Sequence, residues 1–267
     1  MREPRVPVLL AGATVLAQVA YPLVPAGRGR DGLTVATVLL FALASLSHAL
    51  LTRGPRAFLG LLVVAGGGGL VAEAIGVGTG VPFGSYSYAG SLGPAVLGVP
   101  LVVPLAWTMM AWPAYLAGVR LVRSRRTRVL AGAAALASWD LFLDPQMVAA
   151  GHWRWADPSP ALPGVPGVPL TNYAGWILVA VVLMGLLAVV VPTSARPADA
   201  VLSVLYLWTW ASSVLAHAAF FGLPGSALWG GLGMGAVGVP LALSLRARGA
   251  AAAPRAVRAP QAGRAGR

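Results

Sequence analysis

Residues 33–80 read LTVATVLLFALASLSHALL, then TRGPR, then AFLGLLVVAGGGGLVAEAIGVGTG. Two apolar runs, each near the ~20 residues that cross the hydrocarbon core of a bilayer, flank a turn with two arginines and the helix-breaking pair Gly54-Pro55. The pattern extends outward from there. Apolar runs bounded by Arg, Pro and Gly clusters fall at 6–24, 33–51, 57–80, 95–118, 129–150, 173–192, 199–221 and 226–245. This predicts an all-α, polytopic transmembrane bundle of about eight spans over residues 1–245. The first run follows Arg2 and Arg5 in the manner of a signal peptide, but its length and the spans behind it make it a membrane anchor.

Composition agrees. The chain is 58% hydrophobic and 10% charged, with a mean hydropathy of +0.78, too little polar surface for a soluble globule of 267 residues. All 19 basic residues are Arg, and seven acids leave a net charge of +12. Most of these arginines lie between the apolar runs, so they read as topology determinants and contacts for anionic lipid, with no nucleic-acid partner. The N-terminus, the loops around Arg53, Arg56, Arg120 to Arg128 and Arg196, and the tail hold most of them; the opposite loops hold Arg28, Arg30 and Arg154. The positive-inside rule then puts both termini in the cytoplasm of a multi-pass cell-membrane protein and requires an even number of spans. Residues 246–267, rich in Ala, Gly, Pro and Arg without apolar periodicity, read as a disordered basic cytoplasmic tail.

Several chemistries are excluded. Without Lys there is no retinal Schiff base; without Cys there is no disulfide, iron–sulfur cluster or thiol nucleophile. His48, His152 and His217 are too few and too scattered for a histidine-rich di-iron site. His217 reads as a packed or hydrogen-bonded helix residue, and His48 and His152 sit near span ends. The Gly66 to Gly69 run lies inside a span with no strand before it, so it reads as close helix packing rather than a nucleotide loop.

Three acids fall inside spans: Glu73 in the third, Asp140 and Asp144 in the fifth. Each costs ~2.5–3.5 kcal/mol on insertion scales when ionised, which marks them as functional candidates. At 1.5 Å per residue, Glu73 lies ~25 Å beyond Arg56, and Asp140 and Asp144 ~18 and ~24 Å beyond Arg128. All three therefore belong to the outer half of the membrane. Above them are two loops on the same face, 81–94 and 151–172, rich in Gly, Pro and aromatics, that together would cap a cavity. Asp140 and Asp144, four apart, share a helix face, and two carboxyls that close in low dielectric are expected to hold a proton between them. A competing reading makes Asp144-Pro145 the N-cap and first turn of a restarted helix. Trp107, Trp112, Trp139, Trp153, Trp155, Trp176, Tyr86, Tyr88 and Tyr173 surround the acids, either as an interfacial belt or as a cavity wall whose π faces stabilise a cation. For Trp153 and Trp155 the belt is the better reading.

The strings EAIGVGTGVPFGSYSY (73–88), LGVPLVVPLAWTMMAWPA (97–114), WDLFLDPQMVAAGHWRW (139–155) and GVPLTNYAGW (167–176) together resemble the membrane carotenoid hydratases, the bisanhydrobacterioruberin and γ-carotene 1′,2′-hydratase family. The match runs in order over about residues 70–180. It implies a carotenoid 1′,2′-hydratase, a hydro-lyase adding water across the terminal C1,C2 double bond of an acyclic carotenoid end group by acid catalysis, with no cofactor and no metal. It implies an acyclic carotenoid substrate of the lycopene or C50 type, surrounding membrane lipid, and association with other carotenoid biosynthesis enzymes. Acid catalysis needs a carboxyl kept neutral, π faces or a carboxylate for the tertiary cation, and a base for the captured water. Asp140 and Asp144 are assigned as proton donor and partner and Glu73 as water orienter or second base. Trp139, Tyr86, Tyr88 and Trp107 are assigned as cavity wall, and Asn172 as holder of the water.

Two other readings compete. DLFLD (140–144) fits the DxxxD pattern by which intramembrane prenyltransferases hold magnesium diphosphate, although such enzymes carry a second acidic motif and basic partners on the cytoplasmic side. A transporter or pigment-binding protein would use the carboxylates as a proton relay, although the halves show no inverted repeat.

Overall fold

The computed structural model describes residues 4–191 and 194–252, with side chains through Ala247. Helix α1 (Arg5–Ala20) turns through a 3-10 segment at Tyr21–Leu23 and is followed by α2 (Arg28–Arg53). Gly54, at φ 85°, and Pro55 then reverse the chain into α3 (Pro55–Leu61). That rod continues through a π-helical stretch, Leu62–Gly67, into α4 (Gly68–Thr79). The outer loops supply four short strands: β1 (Tyr86–Tyr88), β2 (Ala95–Val96), β3 (Val99–Pro100) and β4 (Trp153–Trp155). The remaining helices are α5 (Val102–Leu121), α6 (Arg125–Ala137), α7 (Asp140–Ala149), α8 (Leu170–Val190), α9 (Ala200–Ala219) and α10 (Pro224–Ala252). The protein is an all-α polytopic bundle in which, among the described residues, seven rods, α3 through α4 counting as one, are long and apolar enough to cross a membrane.

The expected fifth span is the exception. It is two helices, α6 and α7, broken at Ser138–Trp139, where Trp139 N–H and Phe142 N–H donate to carbonyls three residues back. The break lies nearly two turns ahead of Pro145, so Asp144 is not an N-cap, and Pro145 sits inside α7. Other boundaries move as well. Residues 95–100 form the β2–β3 hairpin, so α5 starts only at Val102, and α8 starts at Leu170, which places Asn172 in its first turn. α10 runs to Ala252, so the tail boundary set at Arg246 falls within a helix; residues 253–267 of that expected disordered tail lie outside the described residues.

α5 is the axis of the bundle. Every residue from Trp107 to Val119 is buried, with α2, α4, α6, α8, α9 and α10 packed around it. The outer helices instead turn Leu9, Leu16, Ile177, Leu178, Leu215 and Leu232 outward, as expected where the solvent is lipid. Glycines set the closest approaches: a Cβ on Gly66 would lie 2.9 Å from Thr108 Oγ1, and one on Gly69 2.6 Å from the Trp107 ring. The glycine run is a helix-packing surface.

Pro113, Pro145 and Pro240 lie inside helices, and each deprives the carbonyl four residues earlier of its helical N–H, a deficit that lipid cannot make good. Serines on other helices repair the first two. Ser45 Oγ donates to Met109 O (2.8 Å), the carbonyl freed by Pro113, and Ser226 Oγ donates to Leu141 O (2.6 Å), the one freed by Pro145.

At the end of the bundle that includes the α2–α3 turn, Arg53 makes a bidentate buried pair with Asp199, both N–O distances 2.8 Å, and stacks over Trp112 at 5.2 Å. His48 is fully buried beside them. One of its nitrogens faces Ala198 O at 3.0 Å, and Nδ1 accepts from Trp112 Nε1 at 2.9 Å. Trp112 therefore belongs to this ionic cluster and not to the wall around the intramembrane acids.

Candidate active site

The two outer loops meet. β1 pairs antiparallel with β4, placing Tyr86 opposite Trp155 and Tyr88 opposite Trp153, and this ribbon roofs a cavity whose empty space, its open mouth included, is about 1270 Å³. Glu73, Tyr86, Tyr88, Trp107, Trp139, Asp144 and Asn172 all line it, with Trp153, Trp155 and Trp176. Trp153 and Trp155 are thus not an interfacial belt. Both are 8% exposed, and their indole N–H groups donate to Asp144 Oδ1 (3.1 Å) and Phe83 O (2.9 Å).

Glu73 is one pole. The π-helical stretch before α4 adds a residue to its turn and so shifts the register of everything after it, and Glu73 faces α5. Trp107 Nε1 donates to Oε1 at 2.9 Å, and the hydroxyls of Tyr86 and Tyr88 both donate to Oε2, the latter at 2.8 Å. Burial, and then the Glu73 charge, push both phenols above their ordinary value, so they remain O–H donors. Gly76, one turn after Glu73, admits the tyrosine: a Cβ there would lie 2.8 Å from both Phe83 Cδ2 and the Tyr86 hydroxyl.

Asp140 and Asp144 form the second pole. Asn172 Nδ2 on α8 donates to an oxygen of each, 2.8 Å for Asp140, while Trp153 holds the other Asp144 oxygen. The two acids are not equivalent. Asp144 lines the cavity; Asp140 is fully buried behind it, and its Oδ1 receives no N–H donor from any described residue. Held by one amide nitrogen, the Asp140 and Asp144 carboxyls lie close together in a buried site, where ionising both at once is costly. The amide of Asn172 is spent on the two acids, so it orients them rather than holding a water by its N–H.

Between the poles runs an aromatic wall. Trp107 and Trp176 stack with centroids 3.9 Å apart at 15°, and Trp139 meets Trp176 edge-on at 6.1 Å. Tyr173 is behind it, its hydroxyl buried without a described partner. The far end of the cavity passes α7 to α1, α2 and α9, where Gln18, Thr34, Thr37, Gln146, Ser212 and Ser213 line it. His152 ties the roof down. Its Nδ1 lies 2.7 Å from Ser91 Oγ and its Nε2 3.7 Å from Asp31; burial lowers its imidazole below the ordinary value while Asp31 opposes. His217 is buried and hydrogen-bonded, against Gln146 and Ser226.

Among the described residues no group of three or more His, Cys, Asp or Glu is placed to hold a metal ion, and no arginine lines the cavity. A diphosphate there would find carboxyls and no counter-charge.

A family model described as "Carotenoid biosynthesis protein" matches residues 33–234, most of the chain and every element of this cavity except its α1 edge; the chain belongs to that family. A segment of 111 residues is 40% identical to bisanhydrobacterioruberin hydratase of Haloarcula japonica, a match over 40% of this chain and 36% of that relative. The chain thus spans little more than a third of the curated relative that it matches. No solved structure matches it.

Proposed function

We propose that the protein is a carotenoid hydratase that adds water across the terminal C1,C2 double bond of an acyclic carotenoid, and that the cavity under the β1–β4 ribbon is its active site. The observation that carries this reading is the carboxyl pair: Asp144 lines a cavity rich in aromatic side chains, backed by Asp140 and oriented by an amide that donates to both. An acid–base pair held in that way, beside π faces and with no arginine in the described lining, suits protonation of an alkene.

The proton of the pair passes from Asp144 to C2 of the end group, the alkene π electrons forming the new C–H bond and leaving a tertiary cation at C1. The stacked indoles of Trp107 and Trp176 and the carboxylate of Glu73 stabilise that cation. Water adds to C1 through its oxygen and loses a proton to the carboxylate pair, which returns it to its starting state. The tertiary alcohol is the product, and the steps call for neither metal nor redox cofactor. Glu73, fixed by three donors, orients the water or serves as a second base. The arginine distribution supports cytoplasmic termini in a cell membrane, with the active site in the outer half.

The test is expression in a lycopene-producing host, alone and with Asp140→Asn or Asp144→Asn, followed by mass analysis of the pigments. The expected product is heavier by one water per modified end, and each variant lowers its yield by at least about 100-fold. Unchanged lycopene from well-folded wild type removes this substrate, and a product heavier by a five-carbon unit with prenyl donor present points to prenyl transfer. Full activity in both variants removes the carboxyl pair from the chemistry.

A further inference from the structure

Hydration consumes a water, which must reach carboxyls buried within the membrane, and the cavity wall is divided in a way that provides for it. Around the acids the wall is largely aromatic. The far end is lined instead by Gln18 on α1, Thr37 on α2, Gln146 on α7, and Thr209, Ser212 and Ser213 on α9.

A hydroxyl in an apolar helix ordinarily returns its hydrogen to its own backbone. Thr209 and Ser212 do so, donating to Leu205 O at 2.9 Å and to Thr209 O at 3.4 Å, which leaves each oxygen able only to accept. Thr37 and Ser213 do not. Thr37 Oγ1 is buried without a partner, and Ser213 makes no side-chain hydrogen bond, among the described residues. Gln18 takes the indole N–H of Trp208 on its carbonyl at 2.8 Å, so its NH2 remains a donor. One lining thus carries donors from α1 and α2 and acceptors from α9. A hydrocarbon end group matches none of them, whereas water, which gives two hydrogen bonds and takes two, matches both kinds.

The lining also joins the surface to the acids. Tyr21 and Pro22, in the α1–α2 connection, and Phe221, in the α9–α10 connection, line the same cavity, so it extends to that end of the bundle. Gln146 carries the lining onto α7, two residues beyond Asp144.

We infer that this end of the cavity is a water compartment, through which the water that the reaction consumes passes from the end of the bundle at Tyr21 and Phe221, along α7, to Asp144. The inference rests on the hydratase reading for the fate of the water and not for its presence. It frees Asn172, whose N–H groups hold the acids, from any part in bringing water to them.

The test is radiolytic footprinting of the purified full chain in lipid discs, in which an X-ray pulse makes hydroxyl radicals from water and oxidises side chains beside it. Met147 lines the cavity and is 4% exposed; Met184 and Met234 are fully buried outside its lining. Met147 is expected to be oxidised and the other two not, and its oxidation to fall about threefold or more in Thr37→Val and in Ser213→Ala, each of which removes a hydroxyl. The two variants change different helices, so loss of fold in one leaves the other to decide. In the lycopene-producing host the same variants should lower the alcohol yield about threefold or more, with polyene binding unchanged. A wild-type Met147 no more oxidised than Met184, or oxidation that neither variant changes, overturns the compartment. Folded variants that lose the oxidation and keep the full alcohol yield overturn its role as the route. Oxidation that behaves as expected in a wild type that hydrates no polyene overturns the hydratase reading alone, and alcohol formed with Met147 unmarked overturns the compartment alone.

Discussion

Replacing Asn172 by Leu keeps much of the side-chain volume and removes the one group that touches both acids of the carboxyl pair. Asn172 is 1% exposed, and its Nδ2 donates to Asp140 Oδ2 and Asp144 Oδ2. Asp144 keeps a donor in Trp153, whereas Asp140, whose Oδ1 already lacks a partner, keeps no donor among the described residues. Hydrogen bonds to charged groups are worth about 1.5–3 kcal/mol each, and the shared proton of the pair offsets part of two such losses. The expected cost is therefore about 2–5 kcal/mol, or a midpoint lowered by roughly 5–15 °C in thermal unfolding of the detergent-solubilised protein followed by tryptophan emission. Trp153→Phe removes one donor from one acid and should cost less, about 1–2 kcal/mol. Asp140→Asn combined with Asn172→Leu should be less destabilised than the sum of the single changes by about 1–3 kcal/mol, since the residues act on one network. An Asn172→Leu midpoint within about 1 °C of wild type, with additive energies, would refute the idea that the amide holds the pair together.

Three further outcomes are expected. Gly76→Ala drives a methyl against Phe83 and the Tyr86 hydroxyl, both 2.8 Å from the new Cβ, and should cost about 1–3 kcal/mol in thermal unfolding and at least tenfold in alcohol yield. Ser226→Ala strands the carbonyl freed by Pro145 and should cost about 1–3 kcal/mol; adding Pro145→Ala, which restores the helical N–H, should recover most of it in the same melts. His152 has an imidazole lowered by burial from the model-peptide value of 6.5, so the folded state disfavours its proton. Its contribution to stability is present above that value and is lost as pH falls from 6.5 through the folded value. The melting midpoint of wild type should therefore drop more steeply than that of His152→Gln between pH 7 and 5.

All the expected spans but the fifth were legible because each is a long apolar run, and Glu73, Asp140 and Asp144 stood out because charge is costly in lipid. What escaped was set by contacts distant in sequence. Nothing local distinguishes Trp153 and Trp155 from interfacial tryptophans; strand pairing with Tyr88 and Tyr86 turns them inward. The break at Ser138–Trp139 carries no proline or glycine, so the proline at 145 drew the boundary to itself. Asp140 and Asp144 look alike in DLFLD, and only the packed helix shows that one faces the cavity while the other stands behind it. Gln18 and Gln146 fell in an anchor helix and a helix end, and no motif marks them. Asp199 opens an apolar run, and nothing local pairs it with Arg53, 146 residues away in the chain.

The β1–β4 ribbon also dictates an order of assembly. The partners of Glu73 are Tyr86, Tyr88 and Trp107, all supplied by the time α5 has left the ribosome. Those of the aspartates are Trp153 and Asn172, made only after α6 and α7 have entered the membrane. One half of the pocket is thus supplied early, and the strand that completes its roof comes from beyond two further helices. The donors to Glu73 all precede α6 in the chain, whereas the roof over the cavity is complete only once β4 is laid against β1.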